Sequence, residues 1–143
     1  MKVNVCKLRS AALLPTYATD GSGCFDLYSL GEYAVYPDTW SPTLVHTGLG
    51  FEVPEGHVML VFSRSGHGKI NVSLANSVGV VDSDYRGEVK LLIKNNGEDT
   101  FDIQRGDRVA QAMIIPIPKI EFEEVQELSQ TTRGAGGFGS TGV

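Results

Sequence analysis

The stretch from Glu88 to Gly97 reads EVKLLIKNNG and contains the clearest local pattern in the chain. Val89, Leu91 and Ile93 alternate with Glu88, Lys90 and Lys94, and a period of two is typical of a strand with one buried face. The Asn96-Gly97 pair lies between two apolar runs, which is a strong signal for a hairpin turn. The stretch therefore predicts a half-buried strand followed by a second strand that folds back on it.

Short apolar runs of strand length continue on both sides of this stretch and are separated by turn residues. One short helix is predicted after Ser63-Arg64-Ser65-Gly66, with Ser63 or Ser65 as its cap. Many short strands with regular turns predict an all-β fold, which is a sandwich, a barrel or a jelly roll. The predicted strands cover Val3 to Leu8, Leu44 to Val53, Val58 to Phe62, Val78 to Val81, Thr100 to Ile103, Val109 to Ile115 and Ile120 to Val125.

The last part of the chain differs in composition from the rest. The sequence has 17 glycines among 143 residues, a larger share than the average of about 7%. Five of those 17 lie between Ser129 and Val143, where few apolar side chains accompany them. Because glycine gives the backbone much freedom, we predict a single β domain over residues 1–128 and a mobile C-terminal arm over residues 129–143.

Composition and charge exclude several classes of protein. Hydrophobic residues make up 41% of the chain and charged residues 20%, which is ordinary for a globular protein. No apolar run approaches the roughly 18 residues of a membrane span, and the N-terminus lacks the apolar core of a secretory signal. The net charge of −5 argues against broad nucleic-acid binding. We therefore predict a cytoplasmic protein, in the host cytoplasm if a virus encodes it, with no membrane and no direct nucleic-acid partner.

Polar clusters interrupt the predicted strands at five places. The first is Gly21 to Leu27, where the carboxylate of Asp26 follows a flexible turn. The second is Ser63 to Gly66, which offers a guanidinium group, hydroxyls and backbone N–H groups that suit phosphate oxygens. Each of these clusters, taken alone, is also consistent with an ordinary turn or helix cap.

The third cluster, Asn76 to Glu88, is denser than a plain turn requires. The side-chain amide of Asn76 can both donate to and accept from the edge of a base. Gly79 allows a ligand to approach the backbone closely. Two aspartates and a tyrosine lie in the same segment. The fourth cluster, Arg105 to Gln111, adds two arginines and a glutamine. The fifth cluster lies in the glycine-rich arm. It contains Arg133, which can bind a phosphate, and Phe138, which can stack on a base.

Taken in chain order, the five clusters resemble the five motifs of the homotrimeric deoxyuridine triphosphatases, or dUTPases. The third motif, GVVDSDYRGE from Gly79 to Glu88, and the fifth, RGAGGFGSTG from Arg133 to Gly142, are the most specific. The resemblance extends from Leu14 to Gly142. The departures from the family's usual residues are Gly23-Cys24 in place of Ala-Gly, Ser63 in place of Pro, and His67 in place of Leu.

The resemblance implies a fold, an assembly and a reaction. The fold is an all-β distorted jelly roll, or β-clip-like barrel, with one short helix and a flexible glycine-rich C-terminal tail. The assembly is a homotrimer with shared active sites at subunit interfaces, each closed by the tail of a neighbour. The reaction is Mg²⁺-dependent hydrolysis of dUTP to dUMP and pyrophosphate, by in-line attack of water on the α-phosphate. This activity limits uracil incorporation into DNA and supplies dUMP for dTTP synthesis.

The resemblance also implies a role for individual residues. Asp82 would activate the attacking water, and Asp26 would reach the hydrated Mg²⁺ through a water molecule. Tyr85 would lie under the deoxyribose and leave no room for a 2′-hydroxyl. The other residues that would bind substrate are Asn76, Gly79 and Val81 at the uracil, Arg64, Ser65, Gly66 and Gln111 at the phosphates, and Arg133, Phe138, Gly139, Ser140 and Thr141 in the tail.

Two other functions remain open on the same residues. A dCTP deaminase shares this fold and would release ammonia from dCTP, although no residue here marks a deaminating glutamate. A nucleotide-responsive regulatory binding protein would use the dUTP site as a switch for a protein partner. A long insertion beyond the five motifs would favour that function, and this chain contains none.

Overall fold

The computed structural model describes residues 1–37, 40–140 and 142. Within them the chain forms short strands and one four-residue helix. No helix of the described residues has the length and apolar character that a membrane-spanning helix needs. The elements are β1 (Asn4–Lys7), β2 (Thr16–Tyr17), β3 (Phe25–Tyr28), β4 (Tyr33–Val35), β5 (Thr43–His46), β6 (Leu49–Glu52), β7 (His57–Phe62), α1 (Ser65–Gly68), β8 (Val72–Leu74), β9 (Val78–Val81), β10 (Lys90–Asn95), β11 (Phe101–Ile103) and β12 (Arg108–Pro116).

The strands pair in antiparallel sheets. The largest sheet has five strands in the order β2-β3-β12-β7-β9, and a second sheet has the order β5-β10-β8. Two further pairs are β1-β6 and β11-β4. The predicted all-β, jelly-roll-like fold with one short helix is confirmed, but the described strands do not close into a barrel. Closure requires every strand to pair on both sides, whereas β2 and β9 are edge strands of the five-stranded sheet.

Strand β10 has the alternation of buried and exposed side chains that the sequence predicts. Leu91 and Ile93 are buried, while Lys90 and Lys94 are exposed, so the strand presents one face to the core. Each such buried side chain contributes about 1.5–3 kcal/mol to the free energy of folding. The predicted hairpin at Asn96-Gly97 is wrong, because β10 pairs with β5 and β8 whereas β11 pairs with β4.

The buried side chain of Asn95 explains why the chain leaves this sheet. Its amide nitrogen donates to the carbonyl oxygens of Val35, at 2.9 Å, and Asp99, at 2.8 Å. Its amide oxygen accepts from the backbone N–H of Gly97 at 2.9 Å. These hydrogen bonds satisfy the whole polar end of a 1% exposed side chain, and they direct the chain towards β4 instead of back along β10.

Two other predictions need correction. Neither serine side chain caps α1, because Arg64 occupies the N-cap position and makes no side-chain cap hydrogen bond. The hydroxyl of Ser63 instead accepts from the backbone N–H of Leu74 at 2.8 Å. The predicted strand from Ile120 to Val125 does not form in the described chain, where residues 117–135 are all exposed. A strand needs a partner to satisfy its backbone, and this segment is paired with none of the described strands. The boundary between β domain and arm at residue 128 stays a prediction.

Candidate active site

Asp26 lies on strand β3 and forms the centre of a charged group with Arg64 and Arg108. The residue is 6% exposed, and two arginines bind its carboxylate from different parts of the chain. The Nε of Arg64 donates to Oδ1 at 3.1 Å, and the Nη1 of Arg108 donates to Oδ2 at 3.3 Å. Two guanidinium groups against one carboxylate leave a net charge of +1, so an anion is the ligand that this group favours.

The pairing of three neighbouring strands creates this arrangement. Gln111 on β12 lies opposite Asp26 on β3 and opposite Phe62 on β7. Its side-chain nitrogen donates to the carbonyl oxygen of Ser63 at 3.1 Å. The pairing of β12 with β3 shifts register between Arg108 and Ala110, and such a bulge changes the direction of nearby side chains. We refer to Asp26, Ser63, Arg64, Arg108 and Gln111 together as the arginine cluster.

The beginning of α1 adds open backbone next to this cluster. Ser65 and Gly66 follow Arg64 directly and are exposed. Apart from its chain neighbours and the backbone of α1 itself, no described heavy atom lies within 4 Å of the position that a Cβ of Gly66 would occupy. The Nη1 of Arg64 also donates to the carbonyl oxygen of Arg108 at 3.2 Å, so this turn is tied to β12 by more than one contact.

A second group of predicted residues lines a cavity beside strand β9. The cavity has a volume of about 320 Å³, and we call it the hairpin cavity. Strand β9 forms the edge of the five-stranded sheet here, with Gly79 paired to Val61. A Cβ on Gly79 would lie 3.1 Å from the Val61 Cβ, so the two strands leave little space for a side chain. The predicted substrate residues that line the hairpin cavity are Asn76, Gly79, Val81, Asp82 and Tyr85.

Tyr85 is held in the hairpin cavity by its own turn. The phenol donates to the carbonyl oxygen of Glu88 at 2.9 Å. The ring lies over Gly87, where a Cβ would overlap the phenol oxygen and lie 2.6 Å from Cζ. A residue larger than glycine at position 87 therefore requires the Tyr85 ring to move.

Glu88 anchors the same turn to the end of β5 and to the turn that follows it. Its carboxylate accepts from the backbone N–H of Gly48 at 2.8 Å and pairs with the Nδ1 of His46 at 3.0 Å. Burial by itself raises the pKa of Glu88, but the hydrogen bonds from His46 and Gly48 outweigh burial and hold the pKa below its usual value. Glu88 is therefore ionised at neutral pH and fixes one end of the hairpin cavity.

The predicted tail residues are separate from both groups. Arg133, Phe138, Gly139 and Ser140 are exposed, and the Nε of Arg133 donates to the Gly136 carbonyl at 2.8 Å. None of the hydrogen bonds made by the described tail residues reaches the arginine cluster or the hairpin cavity. The last predicted tail residue, Thr141, lies outside the described residues.

Comparison with known proteins assigns the chain to a family. The dUTPase family model matches residues 10–142. The chain belongs to the dUTPase family. It is 43% identical over 143 residues to the deoxyuridine 5′-triphosphate nucleotidohydrolase of Nautilia profundicola, with 99% of each sequence covered. It is 42% identical to the enzyme of that name from Helicobacter pylori, with 100% of this chain and 98% of the relative covered.

A solved structure agrees with the sequence comparison. The dUTPase of Staphylococcus bacteriophage 80alpha with dUPNHPP superposes with a TM-score of 0.91 at 27% identity, and 99% of each chain is covered. Family membership confirms the predicted resemblance and, with it, the predicted enzyme class, a dUTP diphosphatase. The roles of individual residues in this dUTPase stay predictions.

The carboxylate of Asp26 could hold a Mg²⁺ ion through a water molecule. The described residues contain no group of three or more histidine, cysteine, aspartate or glutamate side chains that could hold a metal ion. Each oxygen of Asp26 already accepts from one guanidinium group. A carboxylate oxygen can accept a second hydrogen bond, which a metal-bound water can donate, whereas direct ligation beside two positive charges is unfavourable.

Sequence reasoning missed the contribution of Arg108 to the candidate site of this dUTPase. Arg108 belongs to the fourth cluster, but no pattern in the sequence assigns it a partner. Its side chain is 46% exposed and still contacts Asp26, so it can face a ligand and the buried carboxylate at once. The bulge that aims it there depends on how β12 pairs with β3, and a single sequence does not specify that pairing.

Proposed function

We propose that this dUTPase hydrolyses dUTP to dUMP and pyrophosphate, with the hairpin cavity taking the nucleoside and the arginine cluster taking the phosphates. The observation that carries the proposal is the hairpin cavity, in which an amide, an aspartate and a tyrosine meet beside the bare backbone of Gly79. The biological role that follows is to limit uracil incorporation into DNA and to supply dUMP for dTTP synthesis.

Uracil is selected by hydrogen bonds along the edge strand. Asn76 and the backbone of β9 provide donors and acceptors, and the short distance from Gly79 to Val61 keeps the cavity narrow. Cytosine would present a donor in place of an acceptor and leave buried groups unpaired, at a cost of about 1–3 kcal/mol each. The methyl group of thymine would overpack the cavity at a cost of about 1–3 kcal/mol.

The reaction needs an activated water and neutralisation of the triphosphate. Asp82 is exposed and lines the hairpin cavity, where its carboxylate orients the water and accepts its proton. Arg64, Ser65, Gly66 and Gln111 hold the phosphates, because guanidinium groups, amides and free backbone suit phosphate oxygens. Mg²⁺ bound to the triphosphate would supply further neutralisation, with Asp26 accepting a hydrogen bond from one of its waters.

We further propose that the complete site needs more than one copy of the chain, in a homotrimer. The arm carries exposed apolar side chains at Ile120, Phe122 and Leu128, with exposures of 66%, 91% and 86%. A second apolar cavity, of about 420 Å³, is lined by Val3, Tyr17, Phe25, Phe51 and Ile114, among others. Contact between copies would cover these surfaces and bring a neighbour's Arg133 and Phe138 to the nucleotide.

The proposal predicts strict nucleotide selectivity. The purified protein is expected to release pyrophosphate from dUTP with Mg²⁺ on the order of ten- to a hundredfold faster than from dCTP, dTTP or UTP, because each discriminating contact contributes about 1–3 kcal/mol. Adding EDTA is expected to stop the release. Pyrophosphate and ammonia are measured for each nucleotide in parallel. Absence of pyrophosphate from dUTP contradicts the proposal, and ammonia from dCTP would indicate the deaminase instead.

The contact between Tyr85 and Gly87 gives a second prediction. Gly87→Ala is expected to lower kcat/KM for dUTP on the order of ten- to hundredfold, because the new Cβ displaces the ring on which the sugar lies. The loss for UTP is expected to be smaller, since a displaced ring excludes the 2′-hydroxyl less well. The measurement is kcat/KM for both nucleotides. Gly21→Ala is the matched control, because apart from its chain neighbours no described atom lies within 4 Å of the added Cβ, and Gly21 lines neither the hairpin cavity nor the arginine cluster. An unchanged dUTP-to-UTP ratio in Gly87→Ala would contradict the role of Tyr85.

A further inference from the structure

We infer that His46 is a positioning residue for selection of the sugar, because through Glu88 it holds the turn that carries Tyr85 into the hairpin cavity. The inference rests on the proposed function and deepens it, since it assigns part of the discrimination between dUTP and UTP to a side chain outside the five clusters. His46 is the last residue of β5, and the described residues that line the hairpin cavity do not include it. It therefore acts on the sugar through its neighbours.

The turn between β9 and β10 has few attachments to the rest of the described chain. Most of residues 82–87 are exposed, and the guanidinium of Arg86 donates to carbonyl oxygens of the turn itself. The ion pair of Arg86 with Glu52 is 4.0 Å long and both side chains are more than half exposed, so it adds little stability. The position of Tyr85 therefore depends on how the end of this turn, at Glu88, is held.

Glu88 connects the Tyr85 ring to the neighbouring sheet. The side chain of Glu88 is 16% exposed, and its Oε1 accepts from the backbone N–H of Gly48 at 2.8 Å. Its Oε2 lies 3.0 Å from the Nδ1 of His46. Because an ionised carboxylate can only accept hydrogen bonds, this Nδ1 carries a proton and donates it. The carbonyl oxygen of Glu88 is in turn the acceptor for the Tyr85 phenol at 2.9 Å, so the residue that His46 holds also holds the ring.

His46 is itself fixed by the sheet around it. Its backbone N–H donates to the phenol oxygen of Tyr33 at 3.2 Å, and its carbonyl accepts from the backbone N–H of Leu30 at 2.8 Å. It lies opposite Lys90 in the pairing of β5 with β10. The imidazole is therefore attached to a strand within the three-stranded sheet, whereas Tyr85 is attached to an exposed turn. The hydrogen bond from His46 to Glu88 transmits the fixed position of the strand to the turn.

The side of the hairpin cavity that would bind the base has a separate support. Strand β9 is held by its pairing with β7, from Val78 opposite Phe62 to Val81 opposite Met59. The carboxylate of Glu88 is bound instead by the end of β5 and the turn that follows it. Loss of the donor at His46 is therefore expected to loosen the contact with the sugar and to leave recognition of uracil unchanged.

The test compares selection of the sugar with selection of the base. His46→Leu removes the donor and retains a side chain of moderate size. We expect kcat/KM for dUTP to fall about tenfold and kcat/KM for UTP to change less than about twofold, as the loss of one hydrogen bond to a charged group predicts. The dUTP-to-UTP ratio then falls about fivefold or more, while the dUTP-to-dCTP ratio stays within about twofold, since both deoxynucleotides lose the same sugar contact. Pyrophosphate release from the three nucleotides is measured next to the thermal unfolding midpoint.

Two further variants complete the test. His46→Asn offers an amide donor near the position of Nδ1 and is expected to restore the dUTP-to-UTP ratio to within about twofold of that of the natural chain. His57→Leu makes the apolar change at a histidine whose Nδ1 contacts the carbonyl oxygen of Glu55 in its own turn, and it is expected to leave both ratios unchanged. If His46→Leu does not fold, His46→Ala replaces it.

Three outcomes would overturn the inference. They are an unchanged dUTP-to-UTP ratio in the apolar variant, an equal fall in the dUTP-to-UTP and dUTP-to-dCTP ratios, and an asparagine variant as unselective as the leucine variant. Failure of the natural chain to hydrolyse dUTP would instead contradict the proposed function.

Discussion

Asp82→Asn is expected to lose dUTP hydrolysis almost completely while it retains nucleotide binding. Asparagine has the size and shape of aspartate and can still line the hairpin cavity, but it cannot accept a proton from the attacking water. Removal of a general base lowers kcat on the order of 10²–10⁴-fold. The measurements are kcat from single-turnover pyrophosphate release and Kd for dUpNHpp, which is expected to stay within a few-fold of that of the natural chain.

The same turn provides a matched control for this substitution. Asp84 lies two residues away but lines a different, open cavity on the outside of the turn, together with Glu52 and Arg86. Asp84→Asn makes the same chemical change without touching the hairpin cavity, so its kcat is expected to fall less than tenfold. Full activity of Asp82→Asn would remove Asp82 from the role of base, and equal losses in both variants would indicate a disturbed turn instead of a missing base.

The fold could be predicted from the sequence where a local pattern determines the outcome. The alternation around Leu91 and Ile93 assigns a buried and an exposed face to β10, because successive side chains of a strand point to opposite sides. The partner of a strand depends on distant residues. Asn95 binds the carbonyl of Val35, 60 residues earlier in the chain, and this contact overrides the local hairpin signal of Asn96-Gly97.

The candidate site shows the same division between local chemistry and distant geometry. The polar clusters draw attention to Asp26, Arg64 and Tyr85, but a cluster of this kind can also be an ordinary turn or cap. The order of the five clusters and their resemblance to the dUTPase motifs are what propose these side chains as site residues. The contact of Arg108 with Asp26 depends on a bulge between Arg108 and Ala110. No residue pattern marks that bulge, because it arises from the way in which β12 pairs with β3 on one side and β7 on the other.

The absence of the strand predicted in the exposed C-terminal segment has a different cause from that of the missing hairpin. Its apolar residues predict a strand between Ile120 and Val125, yet none forms in the described chain. A strand at this position would need its partner from a second copy, which is what the proposed homotrimer supplies. Both the apolar pattern in the sequence and the absence of a strand in a single chain are therefore consistent with a strand that forms only on assembly.

A chain that ends at Thr132 tests whether the arm belongs to the active site. The truncation removes Arg133 and Phe138, which are exposed. The hydrogen bonds that Arg133 makes among the described residues are to Gly136, which is removed with it, so the β domain is expected to fold and assemble as before. An arginine that stabilises charge on a transferring phosphoryl group contributes on the order of 10³–10⁵ to kcat. We therefore expect kcat/KM for dUTP to fall at least a thousandfold in the truncated protein.

Single substitutions separate the two contributions of the arm. Phe138→Ala removes only stacking on the base, which contributes about 1–3 kcal/mol, so it is expected to weaken dUpNHpp binding roughly five- to 150-fold with a smaller effect on kcat. Arg133→Ala is expected to lower kcat far more than Phe138→Ala does, while Arg105→Ala, in an exposed turn of the β domain, serves as the control for loss of an arginine.

Light scattering checks that each variant assembles as the natural chain does. A truncated protein with unchanged kcat/KM would exclude the arm from the site, because both its cation and its ring would then be dispensable; a truncated protein that is inactive and also disassembled would place the effect of the arm in assembly.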